Sequence, residues 1–200
     1  MSKLILIRAG QTDWQAQGRL VGDTDLRLNE VGHQQAAEDA AAMVSFAPHI
    51  VHCGGDEPSR QTAAIIGNEL KVKVKPSDGL REMDLGHWEG LTVDAFKERF
   101  GKVFKQWRND PLSVEPPEGE SVAQVLTRVK KTLGKVVKKN GNKRALAIVL
   151  GGYAYASVLC DLRDRDFEQF WAYVEKAETT SPIAAIEIDE FAKDVSEVAS

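Results

Sequence analysis

Cysteine is scarce in this 200-residue chain. Two residues, Cys53 and Cys160, are too few for a disulfide framework, so a reducing, cytoplasmic setting is the expectation. Long apolar runs are missing as well. No uninterrupted stretch reaches the ~20 residues of a membrane span, and Leu4 to Ile7 is too short for the core of a signal peptide. Positive charge is not in excess: 26 Lys and Arg stand against 30 Asp and Glu, a net charge of -4. A nucleic-acid binder wants a basic face, so none is expected as partner, and neither is a membrane. No spacing among His, Cys, Asp and Glu marks a metal site, and no cofactor is implied. What is present, 42% hydrophobic and 28% charged residues, is the make-up of an ordinary globular chain. One domain over residues 1–200 is expected, long enough for a sizeable core.

The first motif is Leu-Ile-Leu-Ile-Arg-Ala-Gly-Gln-Thr-Asp-Trp, residues 4–14. A short β-rich run ends in Arg8, and Gly10 lets the chain turn sharply. That arrangement presents a charge at the carboxyl end of a sheet, where ligands of open α/β folds collect. Asn29 is an N-cap for a helix through about Phe46, and Gly32 within it is expected to allow close approach to the sheet. Ile50 to Cys53 reads as a second strand. After the turn Gly54 to Pro58, residues Ala63, Ile66, Gly67 and Leu70 share one face of a helix. Val72 and Val74 alternate with Lys71, Lys73 and Lys75, as on an edge strand guarded against unwanted pairing. Asp110 to Gly119, with three prolines, is a loop. Ser121 and Gln124 form a capping box for a helix whose stripe from Val122 to Val137 faces the core. Ala145 to Val149 is a continuous apolar run, as in a central parallel strand, and Ile183 to Ile188 is a final strand.

Five stretches, in order, resemble the histidine phosphatase superfamily (phosphoglycerate mutase-like). Ile-Arg-Ala-Gly-Gln-Thr resembles its Arg-His-Gly signature, Arg60-Gln-Thr-Ala its second arginine motif, and Leu80-Arg-Glu with Gly86-His-Trp-Glu-Gly its acid motif. Gly119-Glu120-Ser121 matches a Gly-Glu-Ser, and Leu150-Gly151-Gly152 stands where the family has a His-Gly-Gly-like turn. The resemblance implies a three-layer α/β sandwich, a mostly parallel central sheet with helices on both faces. It also implies phosphate-binding roles for Arg8 and Arg60 and a proton-donor role for Glu82, while the Gly151-Gly152 turn, opening a helix, is expected to add backbone N–H groups to the same anion. The family's phosphate-accepting histidine falls on Ala9, and its second histidine on Leu150.

Covalent phosphoryl transfer needs a nucleophile, charge stabilisation and an acid for the leaving oxygen. An alanine methyl cannot attack phosphorus, and a leucine removes a donor. The expectation is therefore a pseudophosphatase: a catalytically inactive fold retaining phosphate or phosphomonoester binding, serving as a binding or regulatory module with a phosphorylated ligand or a protein partner. The competing expectation is a phosphatase with non-standard activity on small phosphomonoesters. Substitute nucleophiles are few. His33 is expected at the surface, His49 in a structural or exposed place, and His52 and Cys53 near the sheet edge. His87 is the candidate that could approach the pocket. Gln11, Gln15, Cys53-Gly54 and Glu57 also depart from the family pattern, which natural divergence explains better than a single trapping substitution.

Overall fold

The computed structural model describes residues 3–140, 145–163, 167–175, 183–188 and 191. Five strands, β1 (Lys3–Arg8), β2 (Ile50–Gly54), β3 (Lys73–Ser77), β4 (Leu146–Leu150) and β5 (Ile183–Glu187), form one sheet in the order β3-β2-β4-β1-β5. β1 and β2 both run parallel to β4, β3 runs parallel to β2, and β5 alone is antiparallel, against β1. β4 is apolar throughout and fully buried because strands flank it on both sides and helices cover both faces.

Strand alternation sorts the core into two layers. Leu4, Leu6, Leu146, Ile148 and Leu150 point to the side covered by α6 (Val122–Asn140) and α7 (Gly152–Arg163). Ile5, Ile7, Val51, Ala147 and Val149 point to the side covered by α2 (Glu30–Met43) and α3 (Glu57–Leu70). The capping signals act as read. The Asn29 side chain accepts from the Gly32 N–H, and Ser121 and Gln124 exchange side chain-to-backbone hydrogen bonds at the start of α6. α2 ends at Met43, and a 3-10 turn, Val44–Phe46, finishes the segment. The lysine-bearing segment begins its pairing at Lys73 and is an edge strand.

One expectation needs correcting. Gly32 does allow a close approach, but to the loop after β1 rather than to the sheet. A Cβ at Gly32 would lie 2.8 Å from the Gln11 nitrogen, and one at Gly10 would lie 2.5 Å from the Gly32 carbonyl oxygen. Glycine at both positions presses the turn that follows Arg8 against α2. The remaining helices, α1 (Asp13–Ala16), α4 (Val93–Arg99), α5 (Gly101–Asn109) and α8 (Phe170–Glu175), gather above the carboxyl ends of β1 and β4.

Candidate active site

Arg8 is the last residue of β1 and is 3% exposed. Its partner across the ladder is Leu150, the last residue of β4, and the Ala9 N–H donates to the Leu150 carbonyl at 2.7 Å. Two strands therefore end together, and α7 starts two residues later, at Gly152. The guanidinium donates from Nη2 to the Val174 carbonyl of α8 at 2.7 Å. Burial pulls its pKa down, and the negative charge of Glu82 acts in the opposite direction.

Glu82 is 4% exposed and sits on the N-terminus of α7. Its carboxylate accepts the N–H groups of Tyr153 at 2.8 Å, Ala154 at 2.9 Å and its neighbour Met83 at 2.6 Å. Its own N–H donates to Asp56, the residue that caps α3. Desolvation pushes the carboxyl up to about 7, against the lowering effect of the three N–H groups, with Asp56 adding to the rise. Glycine is required opposite both charges. A Cβ at Gly151 would fall 2.6 Å from Glu82 Cδ, and one at Gly152 would fall 2.9 Å from Arg8 Nη2. The Gly151 turn thus hands its helix N-terminus to an internal carboxylate.

Arg8, Glu82 and Gly152 open onto a cleft of about 220 Å³, walled by α4, α5, α8 and the segment around Arg19. Arg108 and Glu175 form an ion pair at the cleft, with the guanidinium 4.7 Å from the Trp171 ring centroid. Tyr153, in the first turn of α7, is stacked on Trp107 at 5.9 Å and edge-on to Trp171 at 6.3 Å.

The other residues singled out in the sequence are elsewhere. Ala9 and Leu150 are buried in opposite layers of the core and form no part of the cleft wall. Arg60 does not converge with Arg8. On α3 the buried face carries Ser59, Thr62, Ala63 and Ile66, whereas the Arg60 side chain is 48% exposed and ion-paired with Glu57. Glu57 is turned to that same outer pair, away from the cleft rim. Cys53 is fully buried, and desolvation pushes its thiol up to about 12, so it stays protonated. His52 is buried and its pKa is lowered by burial and by Lys75. His33 is exposed, and His49 touches the Ala145 carbonyl. His87 is exposed beside Glu118. Among the described residues, no three His, Cys, Asp or Glu side chains converge as metal ligands, and no helix is long and apolar enough to cross a membrane.

Sequence reading missed Arg108, Tyr153 and Trp171. The one local signal is for Arg108, in the amphipathic run Lys102-Val-Phe-Lys-Gln-Trp-Arg, and Tyr153 and Trp171 lie outside it. Their convergence depends on α5 packing against α8, where the Trp171 indole N–H donates to the Trp107 carbonyl across 64 positions.

Comparison with known proteins agrees with this architecture. The sequence profile of the histidine phosphatase superfamily (branch 1) matches residues 4–195. Phosphoserine phosphatase 1 of Hydrogenobacter thermophilus is 30% identical over 173 residues, spanning 86% of this chain and 82% of that protein. A mycobacterial glucosyl-3-phosphoglycerate phosphatase, solved with VO3, shares the fold: the TM-score is 0.81 at 23% identity over 92% of this chain and 90% of the other. A histidine-to-alanine mutant of phosphoserine phosphatase from Entamoeba histolytica, solved in complex with phosphoserine, superimposes with a TM-score of 0.77 at 26% identity, again covering 92% and 90%. The chain belongs to the histidine phosphatase superfamily, branch 1.

Proposed function

We propose that this chain is a pseudophosphatase, a phosphomonoester-binding member of its superfamily that has lost covalent turnover. The observation that carries the reading is the composition of the cleft. Among the described residues, its wall holds arginine, glutamine, glutamate, aromatic and aliphatic side chains, but no histidine, cysteine, serine or threonine. The residue after Arg8 offers a methyl group, and the nearby thiol of Cys53 is buried and protonated. Loss of the nucleophile in a covalent mechanism costs about 10^4 to 10^6 in turnover. Binding need not go with it, since Arg8 keeps a positive charge at the cleft, of the kind that favours a phosphate. The Entamoeba relative supports the separation of the two, because it carries phosphoserine after a histidine-to-alanine change. Such a protein acts as a binding or regulatory module for a phosphorylated ligand or a protein partner.

The test is incubation with p-nitrophenyl phosphate and phosphoserine alongside a phosphate titration. The expected result is no release of product above buffer, no phosphoenzyme, and saturable phosphate binding weakened in Arg8→Lys. Robust turnover abolished by Glu82→Gln would overturn the reading. A second reading, slow hydrolysis by direct attack of water, draws on one observation: a carboxyl raised to about 7 keeps a usable proton near neutral pH. It predicts hydrolysis that falls as pH rises through 7.

A further inference from the structure

The edge of the sheet farthest from β5 is basic, although the chain as a whole carries a net charge of -4. Among the described residues β3 pairs with β2 and has no strand on its other side. Strand alternation decides where its side chains go. Val72 and Val74 pack on the layer covered by α2 and α3, which leaves Lys73 and Lys75 on the α6 side. The register agrees. Lys75 is paired with His52, and His52 in turn with Ile148 of the α6-side layer.

α6 supplies a second row of charge. Arg128 donates to the Arg81 carbonyl at 2.8 Å, and a Cβ at Gly79 would run into the Thr132 side chain. This face of α6 therefore lies along the turn Asp78–Leu80, which continues β3. Lys135 and Lys139 stand on the same face, within about 60° of arc of those two residues. All four lysines are exposed, and no ion pair among the described residues neutralises them. Successive lysines in each row are about 6–7 Å apart along the backbone, two residues of strand or four of helix. His52 lies within reach of both rows and is 8% exposed. Its Nε2 has no hydrogen-bond partner among the described residues, and Lys75, His49 and Lys139 all add to the lowering of its pKa by burial. The potential at this flank is positive.

Lysines on a sheet edge act first as a guard, because a second β3 laid alongside would set like charges opposite one another. The same row selects an acidic strand. An extended polypeptide with a carboxylate at every second residue repeats at the spacing of Lys73 and Lys75, and its backbone matches the open side of β3. Nucleic acid fits less well. The four cations are lysines, with no aromatic side chain or arginine among them to stack a base, and the rest of the chain is net negative. Pro76 has no N–H to give, so the docking ladder is short and ends there.

We propose that the open side of β3 is a docking site for an acidic protein segment. The segment adds to the sheet as a further strand, sets alternate carboxylates on Lys73 and Lys75, and is held from the flank by Lys135 and Lys139. None of these lysines lines the cleft, so this site is separate from the phosphate-binding one.

Fluorescence anisotropy of the full chain with labelled peptides of about seven residues tests the proposal. The probe alternates glutamate with threonine. Its controls are the same residues with the glutamates in one block, the alternating peptide N-methylated throughout, and an oligothymidine of equal length. The alternating peptide is expected to saturate, to bind about tenfold or more tighter than each control, and to weaken as salt rises. Lys73→Glu with Lys75→Glu should weaken it about tenfold or more and should gain binding of a peptide alternating lysine with threonine. A chain that failed to fold would bind neither. Lys135→Glu with Lys139→Glu should cause a smaller loss, about threefold. Absence of saturable binding overturns the proposal, as does binding of the block or N-methylated peptide equal to that of the probe. Tighter binding of the oligothymidine, no rescue by the lysine peptide, or a dimer of the chain in sedimentation that the Lys73–Lys75 double variant dissociates would also overturn it. None of these outcomes bears on phosphate binding, which the titration above reads separately.

Discussion

Two arginines at the same edge of one sheet meet opposite fates. Arg8 ends β1 and is buried at the cleft, its guanidinium on the Val174 carbonyl of α8 and within the electrostatic reach of the Glu82 carboxylate. Arg60 lies in the first turn of α3 and faces water, paired with Glu57 three residues back. The cause is geometric. A strand end facing a helix N-terminus must go inward, and Gly151 and Gly152 remove the Cβ atoms that would block it. A helix position is exposed or buried by its phase. Thr62, two residues after Arg60 and roughly 200° round the helix, faces inward and accepts the Gly10 N–H through its hydroxyl. Arginine at a carboxyl edge is therefore no evidence of an anion site until its direction is known.

The largest expected effect comes from breaking the buried side. Arg8→Met leaves Glu82 as a buried carboxylate without its cationic neighbour. It also takes away the charged hydrogen bond to the Val174 carbonyl; a bond of that kind is worth up to about 3 kcal/mol, so urea unfolding at pH 8 should show a loss of that order. A loss close to zero would mean that the buried guanidinium adds nothing to the stability of the fold.

Next in size is the pH dependence of Glu82. Its folded pKa is raised from 4.5 to about 7, so the folded state holds the proton in a window where the unfolded chain has released it. Stability is then highest below pH 4.5, declines as pH rises through the window, and levels off above 7. The decline amounts to about 3 kcal/mol. Asp23, raised to about 6 by burial, contributes a slope of the same sign. The diagnostic quantity is therefore the difference between wild type and Glu82→Gln in unfolding free energy measured from pH 5 to pH 8. Parallel curves would place the titration elsewhere.

How much of this was legible in the sequence varies along the chain for physical reasons. The β4 run, the Asn29 cap and the Ser121–Gln124 box are local signals, and the structure realises each one. Arg8 was legible because a strand ending in a charge and then a glycine turn leaves it little choice of place. Arg60 was not, because a four-residue match specifies residue types and not helical phase. The buried positions Thr62, Ala63 and Ile66 carry that information, because the face they share sets the phase that turns Arg60 outward. Arg108 and Tyr153 lie beyond local reading altogether. What brings them together is the stacking of aromatic rings from α5, α7 and α8.

A smaller effect probes the space between the two charges. Gly151→Ala drives a methyl group into the Glu82 carboxylate, which is fixed by three N–H donors and cannot step aside freely. Overpacking of this kind costs about 1–3 kcal/mol. Gly101→Ala, where an added Cβ meets nothing within 4 Å, serves as the matched control and should show no such loss in the same denaturation assay.

The smallest effect is the sharpest test of the contrast. The Arg60–Glu57 pair is exposed and joins two long side chains whose ordering offsets most of their attraction in water. Arg60→Ala should leave the unfolding midpoint unchanged at low and high salt, and phosphate affinity should not move either, because the side chain is outside the cleft wall. The two readouts separate two ways of being wrong. A salt-sensitive loss of stability would mean that the pair is better ordered than its exposure implies. A loss of phosphate affinity matching that of Arg8→Lys would mean that the first turn of α3 rotates Arg60 inward when the anion binds, so that both arginines serve one ligand and the contrast between them holds only for the empty cleft.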